Sequence, residues 1–459
     1  AFGSLVISDI RPIIDFGHMM MMGIAFSFIV TFTFFPAALM QLAPADESHE
    51  FDFTDKVATF FSHLVLDRSK LVFALFAVGF IVCGWASTKL YVQNSFIDYY
   101  KDHTEIYKGM VTIDQKLGGT TPMDVIIKAP QDYIDFQEEE RQLLAEYGYG
   151  DEEEADAGAQ FSQGYWVSED RFEQIASIHN YLESLDETGK VLSFHTAIEM
   201  LDVVMGEEEP LDRFVLGVVY NKAPQAFKET LLKPYISEDG NELRFGIRIY
   251  ETQEGLNRDV LLKEIETHLV SQENLKKEQV NLTGMVVLYN NVLQTLFSSQ
   301  LYTLALVFGV IFGVFWVLFK NVYMAVIALV PNVVVVLFVF GVMGFFQIPL
   351  DIMTITIAAI CFGIANDDTI HFIHRFMAEF EKDHDYVEAV KRSHHTIGRA
   401  MYYTTITIGV GFSILALSNF VPTIYFGMLT ALSLLVALIA DMTLLPLLIL
   451  KLKPFKVTK

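Results

Sequence analysis

Cysteine is scarce in this chain, which has two among 459 residues. Cys83 and Cys361 both lie inside apolar runs far apart in the sequence, so no disulfide framework is expected. The first residues lack both an initiator methionine and the basic start of a signal peptide, which argues against a cleaved leader. We therefore expect the chain to begin within a longer protein.

Basic residues are also few, because 32 lysines and arginines stand against 56 aspartates and glutamates, a formal net charge of -24. The chain is nevertheless 52% hydrophobic, with a mean hydropathy of +0.37. The two properties are separated along the sequence, since residues 89–297 hold 39 of the acidic and 18 of the basic side chains. This pattern predicts an acidic soluble domain between apolar regions, and no nucleic-acid partner is expected.

Seven apolar runs are long enough to cross a bilayer of about 30 Å, which takes roughly 20 helical residues. Residues 1–8 resemble the end of a further run. The seven runs are Met19–Leu42, Leu71–Thr88, Leu301–Phe319, Val322–Phe346, Ile348–Ile373, Ala400–Leu417 and Ile424–Leu450. The polar region between the second and third runs is too long for a loop and must fold outside the membrane.

Lysines and arginines near the ends of these runs fall on one side of an alternating path, the cytoplasmic side by the positive-inside rule. The domain 89–297 is then extracytoplasmic. Segments 43–69 and 377–397 are predicted to be cytoplasmic and amphipathic, with helices lying on the membrane surface, and residues 453–459 a basic tail. The membrane regions are residues 1–42, with a partial and a complete helix, residues 70–88, with one helix, and residues 298–452, with five helices.

An internal repeat links the two ends of the chain. "LVISDIRPIIDFG" at Leu5–Gly17 aligns without a gap with "LALSNFVPTIYFG" at Leu415–Gly427, and Thr33 and Pro36 recur as a Thr and a Pro at the same offset of 410 residues. The natural protein is thus predicted to contain two copies of a six-helix unit, as many secondary transporters do. This chain would hold the end of the first copy and the whole of the second.

Two segments of the acidic domain, "TPMDVIIKA" and "ELRFGIRIY", alternate and are rich in β-branched or aromatic residues, as strands are. "QVNLTGM" is a later strand candidate, and Glu169–Leu185 and Asn257–Leu269 have helical spacing. This order predicts an α+β domain of the ferredoxin-like kind. Residues 131–160 are so acidic that we predict a solvated, poorly ordered loop without a calcium site.

The segment "FGIANDDTIHFIHRF" at Phe362–Phe376 directly follows the apolar stretch "IPLDIMTITIAAIC". On a helix, Asp367, His371 and His374 share one stripe, and charged groups at bilayer depth are expensive unless they have a function. The alternative is that the span ends near Ile364 and the polar residues face the cytoplasm. Asp441, in the last span, has two equal interpretations, a place in the polar interior or an interhelical hydrogen bond.

Several motifs resemble the resistance-nodulation-division (RND) superfamily, especially its MmpL-like branch. "GIANDD" with Arg375 resembles G-x-G-x-D-[YD] followed by Arg, and "LVPN" at Leu329–Asn332 resembles L-x-P-N. "RAMYYTT", which begins at Arg399, resembles R-x-x-x-x-T-[ST]. Two positions depart from the pattern, because Ala365 replaces the second glycine and Asp368 stands where many members have Tyr.

The resemblance implies a proton-driven exporter of hydrophobic or lipid-like substrates in the bacterial inner membrane, with a porter-like periplasmic domain. It places the proton relay at Asp367, Asp368 and Thr404, with Asp367 within hydrogen-bond or water-bridged reach of Thr404. His371 lies outside the motif and is added to the relay because it is one helical turn from Asp367. Supporting polar residues are Asn332, Asn366, His374, Thr405 and Asp441. Expected partners are the substrate, protons or another cation, membrane lipids, the absent first half, and a second copy or accessory subunits.

A non-exporting protein of related fold is the alternative, either a Patched-like lipid or sterol sensor or a SecD/SecF-like assembly factor. An enzyme is not expected, because the sequence has no Ser/His/Asp order, phosphate loop or zinc spacing. No cofactor or metal is expected either.

Overall fold

The computed structural model of the chain divides into two compact units. Residues 1–94 and 293–459 form the helical unit, and residues 95–292 form the sheet unit. The residues that the structure describes are 3, 6, 11–41, 53–91, 95–146, 164–167, 171–205, 229, 232–253, 255–351 and 354–455.

Three helices open the helical unit: α1 (Arg11–Leu39), α2 (Phe53–Asp67) and α3 (Ser69–Ser87). α1 and α3 consist almost wholly of apolar residues, whereas α2 has charged residues on one side and buries Ala58 and Val65. The amphipathic helix predicted in segment 43–69 is therefore α2.

The sheet unit contains four strands: β1 (Thr121–Lys128), β2 (Thr188–Leu192), β3 (Glu242–Ile249) and β4 (Val280–Gly284). They lie in the order β2-β3-β1-β4, and each neighbouring pair is antiparallel. Its described helices are α4 (Glu105–Lys116), α5 (Gln131–Glu146), α6 (Phe172–Ser184), α7 (Phe194–Met205) and α8 (Arg258–Ser271).

Alternate residues of β1 and β3 are buried, as expected for strands with one face on a core. α6 and α8 contribute the apolar side chains that complete this core. Its fully buried members include Met123, Val125, Ile127, Ile175, Ile178, Phe245, Ile265 and Leu269. Each such side chain stabilises the fold by about 1.5–3 kcal/mol relative to an exposed position.

Asp114 is a fully buried carboxylate at the end of α4. Burial opposes its ionisation, but its oxygens accept hydrogen bonds from Thr120, from Thr252 and from the amide of Glu251. These bonds outweigh burial and lower the pKa of Asp114 below its usual value. Glu251 in turn pairs with buried Arg258 and accepts from Thr121.

The acidic segment 131–160 is not a loop throughout, and that prediction is wrong for residues 131–146, which form α5. Apolar residues such as Tyr133 and Phe136 lie among the acidic residues of this segment, and glutamate is a good helix former. Residues 147–160 lie outside the described part of the chain. The short strand β2 was not predicted, because "TGKVL" lacks a clear alternation.

A long helix, α9 (Met285–Phe319), leads back into the helical unit. The helices that follow are α10 (Val322–Phe345), α11 (Thr354–Asp383), α12 (Tyr386–Ser413), α13 (Val421–Ile439) and α14 (Leu445–Leu452). A π-helical turn, Ala440–Leu444, joins α13 to α14 and is called the π segment below.

Six helical stretches of the described residues are long and apolar enough to cross a membrane: Ile14–Leu39, Ser69–Ser87, Tyr302–Phe319, Val322–Phe345, Tyr386–Leu417 and Val421–Leu452. The chain is therefore a multi-pass membrane protein. The seventh expected span, Ile348–Ile373, is not among the six. Its residues from Thr354 onward lie in α11, where Asn366, Asp367 and Asp368 lower the mean hydropathy.

The amphipathic segment 377–397 does not form a separate surface helix. It consists of the end of α11 and the beginning of α12, joined by a turn at His384 and Asp385. The carboxylate of Asp385 caps α12 by accepting from the amides of Val387 and Glu388.

α3 and α10 approach each other closely at two glycines of α10. A side-chain carbon added at Gly344 would lie 2.0 Å from the carbonyl oxygen of Ala86, and one added at Gly341 would lie 2.6 Å from the Cβ atom of Cys83. Only glycine leaves room for this contact, which brings the two helix backbones together.

Candidate functional site

Asp368 is the carboxylate of α11 that faces a neighbouring helix. The hydroxyl of Thr405 on α12 donates to its Oδ2 atom over 3.2 Å. Thr405 is buried and Asp368 is half-buried. This hydrogen bond joins the two motifs that the sequence singled out, "GIANDD" and "RAMYYTT".

Asp367, His371 and His374 lie on the exposed side of α11. The expected contact between Asp367 and Thr404 is not formed, because Thr404 is exposed and donates to the carbonyls of Ala400 and Met401 in its own helix. Consecutive helical residues point about 100° apart, so a helix that presents Asp368 to α12 turns Asp367 away. The hydrogen bond between α11 and α12 instead joins Thr405 to Asp368.

Asp441 belongs to a buried polar chain through three elements. The hydroxyl of Thr369 on α11 donates to Oδ1 of Asp441 over 2.8 Å, and the side-chain amide of Asn332 on α10 donates to the Thr369 oxygen over 3.4 Å. Asn332, Thr369 and Asp441 are each at most 1% exposed. The interhelical hydrogen bond expected of Asp441 is formed, and it lies within a polar interior, so the two interpretations do not exclude each other.

The π segment accounts for the position of Asp441. A π-helical turn holds one residue more than an α-helical turn, which interrupts the regular hydrogen-bond pattern, and such turns occur often at functional sites. Here the turn starts at Ala440, immediately before Asp441, and all five of its residues are buried. Asn332 has a similar setting, because it follows Pro331 inside α10 and its amide donates to the Ala328 carbonyl over 3.0 Å.

Asn366 is buried one residue before the carboxylates. Its amide donates to the Phe362 carbonyl over 2.6 Å, while its side-chain oxygen has no hydrogen-bond donor among the described residues. Asn366 thus places a free acceptor inside the helix bundle, which is uncommon for a buried polar group.

Arg375, the last residue of the α11 motif, pairs with a carboxylate. Its guanidinium lies 2.7 Å from Oε1 of Glu379, one turn further along α11. Glu379 is buried and also binds Lys382 and, from α12, Arg392. This ion cluster joins the adjacent ends of α11 and α12, and networks of several charges are more stabilising than single surface pairs.

The arrangement offers carboxyl, hydroxyl and amide groups in apolar surroundings. Asp368 and Asp441 interact electrostatically, and each accepts a hydrogen bond from a threonine, Asp368 from Thr405 of α12 and Asp441 from Thr369 of α11. No three His, Cys, Asp or Glu side chains of the described residues could hold one metal ion. These groups are suited to binding and passing protons.

Comparison with known proteins identifies the family. The sequence pattern of the MMPL family matches residues 160–457, which include the whole polar chain. The chain belongs to the MMPL family. The RND and MmpL-like resemblance of the motifs is thereby confirmed. A membrane protein of Methanocaldococcus jannaschii is 31% identical over 131 residues, which are 28% of this chain and 34% of that protein.

Two buried polar residues of this region were not predicted. Thr369 directly follows the acidic pair, and its role depends on Asp441, 72 positions later, which no local pattern indicates. His394 lies in the segment that was interpreted as a surface helix, yet it is fully buried. Thr405 was predicted as a supporting residue, and its partner in the structure is Asp368.

Proposed function

We propose that this chain is part of a proton-driven exporter of the RND type, and that Asp368 and Asp441 are its proton-binding carboxyl groups. The observation that supports this proposal most is the buried polar chain from Asn332 through Thr369 to Asp441, next to the Asp368–Thr405 bond. Members of the MMPL family are transporters, and carboxyl groups inside a membrane bundle are a common means of coupling to protons.

The coupling follows from hydrogen-bond chemistry. An ionised carboxylate only accepts hydrogen bonds, whereas a protonated carboxyl can also donate one. Proton binding at Asp368 or Asp441 therefore changes which contacts with α12 and α11 are favourable. One charge that crosses the membrane potential provides about 2.3 kcal/mol per 100 mV, enough to shift an equilibrium between two helix packings.

Asp367 has a different role in this proposal. It lies with His371 on the exposed side of α11, one helical turn apart, and the two groups interact electrostatically. We assign them to proton delivery toward Asp368, with His374 one turn beyond. Thr404 is not assigned a role in the relay, because its hydroxyl bonds its own helix.

The remaining assignments rest on family analogy. We propose that the substrate is hydrophobic or lipid-like, that the sheet unit is a porter-like periplasmic domain, and that the protein resides in a bacterial inner membrane. The strand order β2-β3-β1-β4 fits a ferredoxin-like domain, in which β-α-β units enclose a further strand. A second copy of the chain or an accessory subunit would complete the substrate path.

The test uses the full-length protein in liposomes that contain a pH-sensitive dye and a fluorescent phospholipid. Under an imposed pH gradient, the wild type should move the phospholipid and take up protons, and Asp368→Asn should abolish both while folding normally. The matched control is Glu381→Gln, which removes an exposed carboxylate further along α11.

Gradient-driven movement by Asp368→Asn at the wild-type rate would refute the proton role. Phospholipid binding without movement in the wild type would support the sensor alternative instead. A dye of different chemistry, such as an organic cation, shows whether the substrate class is correct.

A further inference from the structure

His394 on α12 is fully buried and contacts backbone oxygens with both ring nitrogens. Its Nδ1 atom lies 2.9 Å from the carbonyl oxygen of Val390, one turn earlier in the same helix. Its Nε2 atom lies 2.9 Å from the carbonyl oxygen of Met442 in the π segment. The ring also forms a T-shaped contact with the ring of Phe372 of α11.

The two oxygens can only accept hydrogen bonds. A neutral imidazole has one N–H group, so one of the two contacts would oppose a nitrogen lone pair and an oxygen lone pair at 2.9 Å. Turning the ring over would present ring carbons to both oxygens and lose both bonds. The imidazolium form, with two N–H groups, is the one that satisfies both contacts.

The Met442 contact connects this ring to the site described above. Met442 follows Asp441 directly in the π segment. Asp441 is hydrogen-bonded to Thr369 of α11, and the carbonyl of Met442 contacts His394 of α12. The protonation state of His394 therefore decides whether the bond to the π segment forms together with the bond to Val390.

We propose that His394 is a further proton-binding residue of this protein, and that its proton holds the π segment in the position in which Asp441 accepts from Thr369. The inference rests on the proposed function in so far as that proton takes part in transport. The inference concerns a different residue on a different helix from the proposed function. Its readout is also different, because the proton on His394 acts on the backbone of the π segment.

Burial of His394 and the neighbouring His395 both oppose the charged form of its ring, whereas the contacts with the carbonyls of Met442 and Val390 favour it. Arg392 is already paired with Glu379 and Asp383. Further titratable groups lie on every element around it. They are Glu388, Lys391 and Arg399 of α12, Asp367, Asp368, His371, His374, Arg375, Glu381 and Lys382 of α11, Asp55, Lys56, His63 and Asp67 of α2, and Asp441 of the π segment.

The first experiment is nuclear magnetic resonance of the full-length protein in liposomes, labelled with nitrogen-15 in the histidine rings. The signals of His394 are those lost in His394→Gln. We expect two protonated nitrogens at acidic pH and one at alkaline pH. A single protonated nitrogen at every pH at which the protein stays folded would overturn the proposal.

The second experiment measures amide hydrogen exchange of peptides that cover residues 440–450 at several pH values, corrected for the intrinsic pH dependence. Protection should fall in the wild type as His394 loses its proton, and it should be independent of pH in His394→Gln, whose amide can still donate to the Met442 carbonyl. The control His384→Asn changes an exposed histidine and should keep the wild-type dependence.

Identical pH dependence in His394→Gln and the wild type would show that the ring only packs. Asp368→Asn separates the two proposals, because it should stop transport and leave the titration of His394 unchanged. If the wild type does not transport but His394 titrates as expected, the proposed function fails and the proton site stands.

Discussion

Thr369→Val is the sharpest test of the buried polar chain. Valine has nearly the shape of threonine, so the packing of α11 is retained while the hydroxyl is lost. The change removes the donor 2.8 Å from Asp441 and the acceptor of the longer 3.4 Å bond from Asn332. A buried polar group without its partner costs about 1–3 kcal/mol, and we assign most of this to Asp441, since Asn332 keeps its bond to Ala328.

A loss of about 2 kcal/mol lowers the unfolding midpoint of a unit of this size by about 4–8 °C. The midpoint is measured in detergent by intrinsic fluorescence. Thr369→Ser is the variant that keeps the hydroxyl. Ser393→Ala is the matched control, because the buried Ser393 hydroxyl donates only within α12, to Ala389. Equal midpoints for Thr369→Val and Ser393→Ala would show that the Asp441 bond contributes nothing.

Two further predictions concern one site in each unit. Thr405→Val removes the donor to Asp368 and should reduce gradient-driven transport about tenfold, the effect of about 1.4 kcal/mol. Thr404→Val, the control, should change transport less than about twofold. The reverse order would favour the pairing of Asp367 with Thr404 that the sequence predicts. Asp114 has a lowered folded pKa, so its contribution to stability is complete above the unfolded pKa near 3.9 and is lost as pH falls through the lower folded value. Exchange protection of the sheet unit should thus decline below about pH 4, and Asp114→Asn should be less stable at neutral pH and lack this part of the decline.

The apolar runs and the strongest strand patterns were predictable, because burial in lipid or in a core imposes a simple periodicity. β1 and β3 appear where alternation was clear, and α6 and α8 appear where helical spacing was clear. The prediction is wrong for α5, because a run of acids indicates a solvated segment but does not exclude a helix, and glutamate is a good helix former. The internal duplication remains a prediction.

The site was predictable in its residue types and less so in its pairing. Asp368 and Asp441 were named from the sequence because polar residues in apolar runs are conspicuous, and Asn332 and Thr405 were named from the family resemblance. Which of two adjacent aspartates faces α12 depends on the rotation of α11 about its axis, and that is set by packing along its whole length. The π segment is a local irregularity that hydrophobic periodicity does not show.

The contact of Gly341 and Gly344 with α3 also limits how the helical unit can move. Two backbones in direct contact cannot slide past each other without raising one helix over the other's side chains, so α3 and α10 should behave as one rigid body. Asn332 lies on α10, on the same rigid body, whereas Asp368 and Asp441 lie on other elements. Any working cycle would then have a stationary part, built on two glycines, against which the acidic residues are displaced.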